Sequence, residues 1–125
     1  MASHKVIGID IGGSHITAGV VDLKSRKLVN NSLIRTHVNS KGSAEEILDA
    51  WVKVIEQLFS AFPLIQKKIG IAMPGPFDYE EGTCLIKGVD KFESLFNLNI
   101  KKLLADQLHI ADSDILLRSE ERSVG

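Results

Sequence analysis

The stretch IGIDIGGSHITAGVVD, residues 7–22, decides the fold. Two adjacent glycines, Gly12 and Gly13, stand between two short β-branched apolar runs, with Asp10 just ahead of them. Lys5–Ile11 and Ile16–Asp22 read as strands, short and bounded by glycine. A Gly-Gly pair between strands is a hairpin signal, because primed turns need positive φ. Successive glycines also let backbone N–H groups face one anion without a side chain in the way. Asp10 interrupts an otherwise apolar strand, where a carboxylate is unfavourable unless it is paired or near a metal. A carboxylate there can reach a hydrated Mg²⁺ on nucleotide phosphates, since magnesium keeps several waters and takes few protein ligands.

Two other glycine-rich phosphate motifs are excluded. The dinucleotide fingerprint needs Gly-x-Gly-x-x-Gly between a strand and a helix. Here Asp10 stands where the second glycine belongs, and a strand follows. The P-loop needs Gly-x4-Gly-Lys-Ser/Thr opening a helix. Gly8 and Gly13 have that spacing, but Ser14 and His15 follow, with neither lysine nor helix.

Outward from the hairpin, the polar turn KSRK (24–27) leads to a looser third strand over 28–38, irregular at Asn30-Asn31. Ser43 with Glu46 three residues on is a capping-box pattern. Ile47, Trp51, Val54, Ile55, Leu58 and Phe62 then recur at helical steps, and Pro63 ends the helix. KKIGIAM (67–73) reads as a strand returning parallel to the first through the usual crossover. PGPFDYEEG (74–82) is turn chemistry throughout. TCLIK (83–87) reads as a short strand, Asn99–Leu108 as a second helix capped by Asn97 or Asn99, and DILLR (114–118) as a last strand. The order βββαβ(β)αβ predicts an α/β lobe with a mixed sheet and helices, one domain over 1–125.

Composition fits this picture. The chain has 125 residues, 44% hydrophobic and 25% charged, with a net charge of −1. That charge gives no electrostatic case for nucleic acid or an anionic membrane surface. One cysteine, Cys84, makes no internal disulfide, and no apolar run approaches the roughly 18–20 residues of a membrane span. The start lacks a signal peptide's apolar region, so a cytoplasmic protein is expected. Four histidines and one cysteine without ligand spacing predict no zinc-type site.

GIDIGGSHITAGVVD resembles the first phosphate motif of the actin, hexokinase and heat-shock ATPase superfamily. IGIAMPGPFDYEEGTCLIKG (69–88) resembles the segment that follows in the ROK family of glucokinases, related sugar kinases and sugar-responsive repressors. The resemblance runs from about Lys5 to Leu117. It implies an RNase H-like, actin-like ATPase lobe, the N-terminal portion of an enzyme that phosphorylates a sugar hydroxyl with ATP and Mg²⁺. By carry-over, Asp10 would hold the magnesium through water, and Gly12, Gly13, Ser14 and His15 would hold the ATP phosphates. Pro74 and Gly75 would stand at the sugar cleft.

The departures are specific. The family commonly has Thr-Lys after the glycines, where this chain has Ser14-His15; serine keeps the hydroxyl, while histidine is at most partly charged at pH 7. After its last strand the family reads Asn-Asp-Ala, the Asp being the general base. Here Ser119-Glu120 fall there, so Glu120 is either a carboxylate one methylene longer or part of a polar tail. The family's second lobe, with its sugar-binding and adenosine-binding residues, has no counterpart in the chain. The fragment alone is therefore expected to be inactive and, with apolar surface uncovered, to form homodimers or larger assemblies. A sugar-responsive regulator is the alternative function, and a non-catalytic half-domain a third. Trp51 and Phe62 read as core, and Lys87, Asp90 and Lys91 as solvated loop charges.

Overall fold

A computed structural model describes residues 4–88 and 90–119. The hairpin predicted from the opening stretch is its centre. Strand β1 (Lys5–Ile11) pairs antiparallel with β2 (His15–Asp22), in a register that sets Ile11 against Ile16 and Gly8 against Gly19. Because side chains alternate across a strand, Ile7, Ile9 and Ile11 face one side with Ile16, Ala18 and Val20, all buried. Gly8, Asp10, Thr17 and Gly19 take the other side.

The third strand differs from expectation. It is two short strands, β3 (Lys27–Leu28) and β4 (Ile34–His37), both paired with β2. Ser32 explains the break. Its hydroxyl, only 1% exposed, accepts the Val20 N–H (3.0 Å) and donates to the Val29 carbonyl (2.7 Å). A side chain thus fills the gap in the ladder left by the Asn30-Asn31 turn, where Asn31 is left-handed (φ 64°).

Helix α1 (Ala44–Ala61) starts where the capping pattern puts it: Ser43 Oγ accepts the Glu46 N–H at 3.1 Å. Its buried stripe, including Ile47, Trp51, Ile55 and Leu58, covers the isoleucine side of the sheet. Burying one such side chain contributes about 1.5–3 kcal/mol. Strand β5 (Ile69–Met73) begins two residues later than expected and runs parallel to β1. The 74–82 segment is not all turn: β6 (Phe77–Asp78) and β7 (Thr83–Cys84) form a small separate hairpin. Helix α2 (Ile100–Leu108) is capped by Asn99, whose Oδ1 accepts the Lys102 N–H at 3.0 Å. Strand β8 (Ile115–Ser119), one residue beyond the expected end, pairs parallel with β5.

The main sheet has the order β3-β2-β1-β5-β8, with β4 also on β2. Its opposite side carries glycines where α1 and α2 cover the first. An idealised Cβ on Gly8 would lie 3.0 Å from Val21 Cγ2, and one on Gly19 would lie 2.7 Å from Leu28 Cδ1. Leu28, Leu33 and Leu116 are exposed around this floor at 47%, 60% and 52%. Among the described residues no helix is long and apolar enough to cross a membrane.

Candidate phosphate-binding site

Strands β1, β5 and β8 are parallel, so their C-terminal ends share one edge of the sheet. The register places Asp10 beside Ala72, and Ala72 beside Arg118. The β1–β2 tip, the Pro74–Gly75 turn after β5 and the end of β8 therefore meet along this edge. Asp10 is exposed and forms no ion pair among the described residues. Glu120 follows Ser119 in the sequence and lies outside the described residues.

The tip closes through the Gly12 N–H, which donates to the His15 carbonyl at 2.8 Å, leaving Gly13 and Ser14 as the turning residues. Neither Gly12 nor Gly13 has a positive φ, which corrects the conformational reason given for the pair. At Gly13 a side chain would meet Lys91. An idealised Cβ there would lie 2.7 Å from Lys91 Nζ and 3.3 Å from its Cδ and Cε. The lysine stem crosses the tip where any other residue would carry a side chain.

His15 is turned away to its own partners. Its Nδ1 shares a hydrogen bond with Ser14 Oγ (2.9 Å), and its ring meets His37 edge-on at 5.5 Å across β2 and β4. The Ser14 carbonyl accepts the Val38 N–H at 2.8 Å, which ties the tip to the chain leaving β4.

Lys91, expected to be a solvated loop charge, is exposed, and its ammonium lies beside this tip. No local pattern in 87–91 marks it; the only signal in the sequence is the weak charge of His15, which leaves a phosphate cation to be found elsewhere. Tyr79 was also missed. Its hydroxyl donates to the Met73 carbonyl at 2.8 Å, and an idealised Cβ on Gly75 would lie 3.0 Å from that oxygen, so Tyr79 pins the turn expected at the sugar cleft. The Gly75–Pro76 bond within it is cis. Tyr79 and Glu80 line a cavity of about 440 Å³ with Leu116, Leu117, Arg118 and Ser119, at the end of β8. Among the described residues no group of three or more His, Cys, Asp or Glu is arranged to hold a metal ion.

The fold is shared with known proteins. An inorganic polyphosphate/ATP-glucomannokinase from Arthrobacter sp. strain KM is 27% identical, with a TM-score of 0.74 over 93% of this chain and 44% of its own. A ROK family glucokinase from Streptomyces griseus, solved with glucose and AMPPNP, is 22% identical, with a TM-score of 0.69 over 92% of this chain and 33% of its own. A ROK family transcriptional regulator, a homolog of the E. coli MLC protein, has a TM-score of 0.70 at 15% identity, over 95% of this chain and 28% of its own. The chain thus spans less than half the length of each of these proteins, and its lobe has their actin-like ATPase fold. No curated protein sequence matches it. The ROK family model matches residues 6–120, and the chain belongs to the ROK family.

Proposed function

We propose that the chain is the N-terminal lobe, residues 1–125, of a cytoplasmic kinase that transfers the terminal phosphoryl group of ATP to a hexose-type sugar hydroxyl. The observation that supports this best is the strand register, which brings Asp10 and the Gly12–Ser14 tip to the same sheet edge as Pro74 and Gly75. Phosphoryl transfer needs positioning and charge neutralisation more than covalent chemistry from the protein. Backbone N–H groups at the tip and the Ser14 hydroxyl donate to phosphate oxygens. Pro74 and Gly75, pinned by Tyr79, border the sugar.

The residues present fit magnesium rather than a protein-caged metal. One exposed carboxylate, Asp10, with no three-ligand cluster among the described residues, suits an ion that keeps its waters. When bound, the ion neutralises phosphate charge. Asp10 would hold it through its waters. In the transfer the sugar oxygen bonds to the terminal phosphorus, the bond to the β-phosphate bridging oxygen breaks, and ADP leaves. Glu120 is positioned by sequence to take the hydroxyl proton. The family resemblance assigns the opposite wall, with the adenosine and further sugar contacts, to a second lobe, so the 125-residue chain alone should bind phosphates without turnover.

Calorimetric titration of the 125-residue chain tests this. Mg-ATP and magnesium tripolyphosphate should bind with similar affinity, AMP should not bind, and Asp10→Asn should abolish the gain that magnesium gives. Equal binding of AMP and ATP, or no triphosphate binding at millimolar ligand, overturns the proposal.

A further inference from the structure

Lys91 lies 78 positions from Gly13 in sequence, yet its ammonium sits over the phosphate tip. The loop that carries it is fastened on both sides. Phe92 is 3% exposed, packs on Trp51 with ring centroids 6.2 Å apart, and its N–H donates to the Ser40 carbonyl at 2.8 Å. On the other side Asp90 pairs with Lys41 at 3.0 Å. Ser94 Oγ donates to the Gly42 carbonyl at 2.8 Å, and the Gly88 N–H donates to Glu93 Oε1 at 3.0 Å. Asp90 and Phe92 both adopt left-handed backbone (φ 59° and 57°), which turns the chain sharply about Lys91. Left-handed geometry is unfavourable for a non-glycine residue, here offset by the buried ring and the backbone bonds.

The side chain itself is uncommitted. Lys91 is exposed and makes no ion pair among the described residues, whereas the neighbouring Lys41 is already neutralised by Asp90. His15, at the position where relatives commonly carry a lysine, is engaged by Ser14 and His37. The tip therefore combines backbone donors and a serine hydroxyl with one unpaired cation from another part of the chain.

We propose that Lys91 is the phosphate-binding cation of this site, brought to the β1–β2 tip from another part of the chain, with its ammonium in the space that Gly13 leaves open. Its ligand is the terminal phosphate of a nucleoside triphosphate, or an inorganic polyphosphate chain of the same charge. This rests on the phosphate-binding role proposed for the hairpin.

The test is titration of the 125-residue chain with magnesium tripolyphosphate and with Mg-ATP, no sugar present. Lys91→Gln should weaken both about 10-fold or more, as expected for losing a charge-assisted hydrogen bond. Its thermal midpoint should be unchanged, because the side chain is exposed. Lys91→Arg should recover most of the affinity. Gly13→Ala, whose added methyl displaces the ammonium, should weaken binding as Lys91→Gln does, and the double variant should be no worse than either alone. Wild-type binding with Lys91→Gln within twofold of it overturns the assignment and leaves the hairpin's role standing. Absence of wild-type triphosphate binding overturns both. A Lys91→Gln loss confined to ATP and absent for tripolyphosphate also overturns it, since the contact would then be to the nucleoside.

Discussion

Ser32→Ala is the perturbation whose size follows most directly from the geometry. The Val20 N–H lies in the middle of β2, a strand with β1 on one side and only β3 and β4, at its two ends, on the other. In that gap its partner is Ser32 Oγ, 3.0 Å away and 1% exposed. Removing the hydroxyl orphans a buried donor and also removes the donor to the Val29 carbonyl, 2.7 Å away. An unsatisfied buried backbone group costs about 1–3 kcal/mol, and the methyl of alanine leaves no room for a full replacement water. The expected loss is about 2 kcal/mol. For a chain of this length the entropy of unfolding is on the order of 0.26 kcal/mol per degree, so the thermal midpoint should fall by about 7–8 °C.

Urea unfolding followed by far-UV circular dichroism measures the loss, with an unchanged m-value showing that the native state stays compact. Ser94→Ala is the control. Ser94 Oγ also donates to a carbonyl, that of Gly42, but at an exposed site where water substitutes, so its loss should stay under about 0.5 kcal/mol. If Ser32→Ala costs no more than Ser94→Ala, the Ser32 hydroxyl is not what closes the ladder, and the account of the split third strand is wrong.

Burial raises the Cys84 thiol above its usual value of 9.0, with a backbone hydrogen bond from Ile86 offsetting part of the rise. The folded state therefore favours the thiol; its contribution to stability is full below 9.0 and is lost as pH rises through the higher folded value. Stability of the wild type should fall more steeply above pH 9 than that of Cys84→Ala, and parallel curves would contradict this. The glycine-floored side of the sheet, with a cavity of about 250 Å³ lined by Gly8, Gly70, Ala72 and Leu116, is apolar and uncovered by α1 or α2. Sedimentation should show the chain self-associating with rising concentration and Leu116→Lys reducing it; a monomer throughout would refute the expected self-association.

What the sequence made legible was local. The hairpin came from two glycines between β-branched runs, and α1 from Ser43, Glu46 and the apolar spacing after them, because strand alternation and helix capping act over a few residues. The third strand was read as one because 28–38 has the right residue types. Its interruption depends on Ser32 reaching Val20, a contact 12 residues apart that no local pattern records. The β6 strand was hidden for a related reason: Phe77 and Asp78 sit among prolines and glycines, and only their pairing with Thr83 and Cys84 makes them a strand.

The phosphate tip shows the same division within a single glycine. Gly13 was legible as a residue that must be small, but the reason assigned to it, a positive φ, is a local one, and the backbone does not use it. What a side chain there would meet is the stem of Lys91, which reaches Gly13 only because Phe92 is buried against Trp51 and its N–H is held by Ser40. Those anchors are ordinary core and turn contacts with no phosphate chemistry of their own. The departure of the motif at His15 marks where to search in space, and the core packing of the neighbouring loop, rather than the motif, is what brings Lys91 there.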